Sequence, residues 1–205
     1  MRPGRHKFLL GGLLPAFLFL FAFPANAHAH TTIKGVGELV SGLVHPLTTP
    51  THLLILLGLG LLVGQQTPLN LKTPMQVFMP LSAAALLLTM TGAITGVYQP
   101  VLVCLALGVA SLVALEQKVP SLVLRLLFAA AAIAIGFDSA PEAASLTADL
   151  KTILGTWISL IFVLCDLAIY VSYCSSKKWL MVGVRIIGSW IIAISLLVLA
   201  FSLKK

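Results

Sequence analysis

The chain has 205 residues, 59% of them hydrophobic and 9% charged, with a formal net charge of +7. A soluble domain of this size could not hide that much apolar surface, and so few charges between apolar runs do not make a nucleic-acid surface. The composition describes an all-α, polytopic membrane helix bundle in a lipid bilayer, each span needing about 20 apolar residues.

In chain order, the N-terminus reads as a secretory signal over residues 1–27. "MRPGRHK" is a basic leader, "FLLGGLLPAFLFLFAF" an apolar stretch, and "PANA" ends in an A-x-A site at Ala25 and Ala27. Cleavage there removes Arg2, Arg5 and Lys7, lowers the formal charge to +4, and leaves one membrane domain, 28–205. The alternative is an uncleaved first helix. About six spans follow: Gly37 to Gly64, Met75 to Tyr98, Val101 to Leu115, Val119 to Gly136, Ile153 to Tyr173 and Trp179 to Phe201. Gly92 and Gly96 form a G-x-x-x-G in the second, which suits packing within the bundle or a homo-oligomer seam. Cys104, Cys165 and Cys174 read as small buried hydrophobes, since no C-x-x-C pair is present.

Basic residues set the expected orientation. With the mature N-terminus outside, Lys72, Lys118, Lys177 and Lys178 fall on inner loops. The loop "FDSAPEAASLTADLK" then falls outside, carrying Asp138, Glu142 and Asp149 against Lys151. This follows the positive-inside tendency. Asp166 and Arg185 are charges within the fifth and sixth spans, at similar depth below the inner boundary. An unpaired charge there is costly, so a structural ion pair is expected between them, with a transport role as the alternative. Arg125, near the inner end of the fourth span, is expected to snorkel.

The first span contains "HPLTTPTHLLILLGLG". His45 and His52 are seven residues apart, so an unbroken helix would separate them by about 10 Å along its axis. Two imidazoles on one metal need nitrogens about 2 Å from it, which such a helix cannot supply. Pro46 and Pro50 each lack an N–H and disfavour helix in the preceding residue. Thr49 is then the N-cap and Pro50 the first residue of a helix running to about Gly64. The span is therefore expected to break near Pro46–Pro50, with an irregular turn over 45–50 that folds His45 back toward His52. Such breaks serve transporters as binding sites, and imidazole suits divalent transition metals. The competing reading is a proline kink whose histidines bond to Thr48, Thr49 or Thr51.

A signal peptide, a His-rich mature start, six spans and an early H-P-x-x-x-x-x-H resemble the HupE/UreJ family. The resemblance implies a hydrogenase- or urease-associated membrane protein, regarded as a nickel or cobalt permease, in the bacterial inner (cytoplasmic) membrane. The family's first motif is H-x5-D-H; His45 and His52 match its histidines, while Thr51 stands in place of its aspartate and Thr49 where glycine is usual. Its second motif, F-H-G-x-A-H-G-x-E, aligns with "AIGFDSAPE", where Gly136 and Glu142 fit. Ile135 and Ser139 replace the two histidines and Asp138 replaces the alanine. The expected metal ligands are thus His45 and His52, with Glu142 and Asp138, and Glu38 further out, offsetting the charge. A solvated acidic loop is the competing account of those acids.

The mature N-terminus offers a second ligand set. After cleavage, His28 supplies the free amino group and His30 is the third residue, a square-planar arrangement suited to Cu(II) or Ni(II). The alternative is a disordered polar leader. No G-x-x-x-x-G-K-[ST] loop, G-x-S-x-G elbow or H-E-x-x-H pair is present, so neither an ATPase nor an enzyme is expected. Two functions remain: a secondary permease for Ni(II) or Co(II), with the metal as cargo and no permanently bound cofactor, and a non-transporting accessory or scaffold protein of the same fold.

Overall fold

Backbone polar groups inside a bilayer must be satisfied within the segment, and every regular element among the described residues is an α-helix. The computed structural model describes residues 37–92, 98–141, 145–175 and 177–203. The expected signal peptide and the His28/His30 ligand set lie outside them, as does Glu142. The helices are α1 (Glu38–Thr48), α2 (Pro50–Gly64), α3 (Lys72–Thr89), α4 (Gln99–Ala114), α5 (Ser121–Asp138), α6 (Leu146–Cys174) and α7 (Lys178–Leu203).

The six expected spans map in order onto these helices, the first divided into α1 and α2. Helix length gives a smaller number of crossings. α5, α6 and α7 are each long and apolar enough to cross a membrane, and α1 with α2, bent by 72°, makes a fourth. α4 has 16 residues, about 24 Å, shorter than a ~30 Å hydrocarbon core. α3 has 18 residues, as α5 has, but carries Lys72 in its first turn and Pro80 in its interior and is not apolar enough.

α2 sits at the centre, between α4 and α6. Around it α1 packs on α6, α3 on α5 and α4 on α7. Glycines set the closest approaches. A Cβ on Gly42 would strike the backbone carbonyl of Thr152, and one on Gly155 the carbonyl of Leu39, so α1 and α6 meet backbone to backbone. On α2, Gly60 and Gly64 accommodate Leu167 and Val171 of α6, and Gly58 accommodates Val109 of α4. Leu54, Ile55, Leu56, Leu59, Leu61 and Leu62 are all buried. α7 presents the opposite case: Trp179, Trp190, Leu197 and Phe201 are exposed, as suits a helix at the lipid boundary.

Three connections gather at one end. Gln66, just past α2, donates from Nε2 to the Gln117 carbonyl (3.0 Å) and accepts the Val119 amide at Oε1 (3.2 Å). This ties the α2–α3 connection, before Lys72, to the α4–α5 turn that carries Lys118. Arg185, two turns into α7, donates from Nε to the Ala114 carbonyl (3.0 Å) at the end of α4. The α6–α7 connection, with Lys177 and Lys178, therefore belongs to the same end.

Several expectations need correction. Pro46 does not break the chain: it lies inside α1, and the break is the single residue Thr49, whose backbone is extended. The proline removes the N–H that would bond to the Gly42 carbonyl four residues back. The Thr156 hydroxyl of α6 donates to that carbonyl instead, at 3.2 Å. Thr49 does occupy the N-cap with Pro50 at the first turn of α2, but its side chain makes no capping bond.

Gly92, the first glycine of the expected G-x-x-x-G, does not lie on the helix. α3 ends at Thr89, and Gly92 lies beyond it with φ of +66°, a left-handed conformation that glycine adopts without strain. Gly96 is outside the described residues. The acidic loop is shorter than expected, because Phe137 and Asp138 end α5 and Leu146 starts α6. Ser145 caps α6 by accepting the Ala148 amide at 3.4 Å. Cys104 is exposed rather than buried, beside Pro100 and Val101 on α4.

Candidate functional site

The 72° bend gives the first motif its geometry. α1 ends with His45 in its last turn, and α2 begins two residues before His52. With the chain turned at Thr49, the two imidazoles meet edge to face, with ring centroids 5.3 Å apart. An unbroken helix would hold them near 10 Å, so the convergence expected from the prolines is present, achieved at Thr49 alone.

His52 is fully buried, and its Nε2 lies 2.9 Å from Oδ2 of Asp138. Asp138 is the last residue of α5, 23% exposed at its side chain. Its position is fixed from two sides. Gly136 allows α5 to touch α3 at Ala85 and Leu86, and the Phe137 ring stacks at a tilt on Tyr98, 5.6 Å between centroids. Ser139, buried behind it, donates its hydroxyl to the Ile135 carbonyl at 2.7 Å and closes the last turn. Asp138 is thus a helix-end carboxylate aimed at a buried imidazole, not part of a solvated loop.

The segments carrying the two sequence motifs therefore meet in space, although 86 residues separate His52 from Asp138. The pairing places one carboxyl group beside two imidazoles. In a low-dielectric setting such a charge-assisted hydrogen bond is short and orienting. Imidazole nitrogens are donors of the kind that nickel and cobalt take, and a carboxylate beside them would offset part of a dication's charge. Among the described residues, no three His, Cys, Asp or Glu side chains group closely enough to hold a metal ion.

The other expected residues lie apart from this junction. Glu38 is exposed in the first turn of α1, about 10 Å along the axis from His45. Thr51 is buried at the start of α2. Arg185 does not pair with Asp166; its Nη1 lies 3.6 Å from Oε2 of Glu116, and both side chains are about half exposed. α6 and α7 are consecutive but scarcely touch, so equal depth did not bring the two charges together. Sequence reasoning missed Thr156, whose hydroxyl holds the proline-containing helix α1 in place. The signal for it was available in half: Pro46 announces an orphaned carbonyl at Gly42, but not where its donor comes from.

Comparison with known families decides what the chain is related to. Residues 18–198 match the family model described as HupE / UreJ protein. The chain belongs to the HupE/UreJ family. No curated protein and no solved structure matches it. This HupE/UreJ protein has the apolar helices of a membrane protein. Its histidine–aspartate junction lies where the segments that resemble the two family motifs come together.

Proposed function

We propose that this HupE/UreJ protein is a secondary permease for a divalent transition metal, nickel or cobalt, serving metalloenzyme maturation. The observation that carries the reading is the junction at the bend: His45 at 5.3 Å from His52, and His52 on the carboxylate of Asp138. Broken helices that present polar groups at membrane depth are the usual substrate sites of secondary transporters. The metal is cargo, the protein carries out no covalent chemistry, and Glu142, outside the described residues, is a further candidate ligand. The lysine-bearing end is cytoplasmic in this reading, which puts the mature N-terminus outside the inner membrane.

A second reading is a non-transporting accessory protein of the same fold. The absence of a three-ligand group among the described residues favours it, as does Thr51 in place of the family's aspartate. Accumulation of radiolabelled Ni(II) and Co(II) separates the two. Cells expressing the wild type should accumulate one of these ions above empty-vector cells, and His45→Ala and His52→Ala should each remove most of that excess. A wild type equal to empty vector, or uptake indifferent to both changes in proteins that insert normally, selects the accessory reading.

A further inference from the structure

The two ring nitrogens of His52 are in different situations. Nε2 is 2.9 Å from Asp138 Oδ2. Nδ1 is buried and has no hydrogen-bond partner among the described residues. An ionised carboxylate only accepts, so the hydrogen bond requires the proton on Nε2. In a neutral ring Nδ1 then carries the lone pair, inside a side chain that is fully buried. A buried acceptor without a donor is costly, and such an atom in a native structure calls for an explanation, of which a bound ion is one. The ring nearest at hand is His45, edge to face at 5.3 Å.

We infer that Asp138 is a positioning residue rather than a metal ligand: it holds His52 as the Nε2–H tautomer, so that Nδ1 is the atom presented to a divalent cation. The arrangement is that of a carboxylate–histidine–metal relay, in which an outer acid fixes the tautomer and orientation of the ligating ring and raises its basicity. The acid comes from α5, so the orientation of His52 depends on a residue of another helix. The cation in this statement rests on the permease reading; the tautomer does not.

The test labels histidine with 15N in the full-length protein in lipid nanodiscs and reads the ring nitrogens by NMR, with His52→Gln identifying the resonances. The wild type should show His52 protonated at Nε2 and unprotonated at Nδ1. Asp138→Asn keeps an acceptor oxygen and should preserve that tautomer, with Ni(II) uptake reduced only a few-fold. Asp138→Ala should give a mixed tautomer and lose about tenfold or more in apparent affinity for Ni(II), the usual size of an outer-acid deletion. A His52 ring protonated at Nδ1, alone or together with Nε2, overturns the inference. So does an Asp138→Asn protein that keeps the tautomer yet fails in uptake as completely as Asp138→Ala, which would make Asp138 a ligand. A wild type that carries no metal but shows the Nε2–H tautomer supports the positioning role and overturns the permease reading instead.

Discussion

The contact that most directly tests how this fold tolerates its prolines is the hydrogen bond from Thr156 to the Gly42 carbonyl. Thr156 is 2% exposed and Gly42 is buried, so no water replaces the hydroxyl if it is removed. Thr156→Val keeps the side-chain shape and deletes the donor. A buried carbonyl left unpaired costs about 1–3 kcal/mol in soluble proteins, and interhelical bonds in membranes average about 0.6 kcal/mol. The expected loss is therefore about 1–2 kcal/mol. Pro46→Ala restores an N–H four residues from Gly42, which can then take the carbonyl within the helix. In that background Thr156→Val should cost about 0.5 kcal/mol or less. The coupling is about 1 kcal/mol, roughly fivefold in the unfolding constant. A four-variant cycle in mixed micelles, followed by tryptophan fluorescence against denaturing detergent, measures it. Equal cost of Thr156→Val in both backgrounds refutes the claim that Thr156 substitutes for the N–H that Pro46 lacks.

Four further outcomes follow from packing, charge and hydrogen bonding. Gly155→Ala should destabilise by about 1–3 kcal/mol, because its Cβ meets the Leu39 carbonyl and, at 2.9 Å, the Leu43 amide nitrogen. Gly108→Ala, with nothing within 4 Å, should be neutral or slightly stabilising in the same detergent unfolding assay. Arg185→Gln removes the half-exposed Glu116 pair and the Nε donor to the Ala114 carbonyl, and should cost about 1–2 kcal/mol while leaving metal uptake intact; a larger loss in detergent stability would contradict this. Gln66→Leu removes two tethers between the α2–α3 and α4–α5 connections and should lower the melting midpoint, with a cost of about 1–3 kcal/mol.

What could be read in the sequence was whatever depends on neighbouring residues. The start of α2 at Thr49–Pro50 followed from local rules, and its end at Gly64 agrees with the expected one. The meeting of His45 and His52 followed from a break placed somewhere between them. Features that depend on distant partners were not legible. Pro46 looks like a breaker until Thr156, 114 residues beyond Gly42, satisfies the Gly42 carbonyl that the proline leaves vacant. Depth arithmetic placed Asp166 and Arg185 at one level, but level says nothing about which way each helix faces. Asp138 was legible as a displaced acid; its place on α5 depended on Gly136 and Ser139 carrying the helix two residues past the expected end.

The burial of α2 has a consequence for how this sequence can vary. Read by hydropathy, "LLILLGLGLLVG" and the C-terminal half of α7 are the same kind of text. In a bilayer, however, a leucine facing lipid is held only by chemistry, whereas a leucine enclosed by α4 and α6 is held by shape. Positions such as Ile194 and Leu197 are therefore free to exchange one apolar residue for another, while Leu56, Leu59 and Leu62 answer to volume within a methylene or so. A hydropathy plot that treats the two helices alike cannot tell a replaceable coat from the keystone that holds His52 in place.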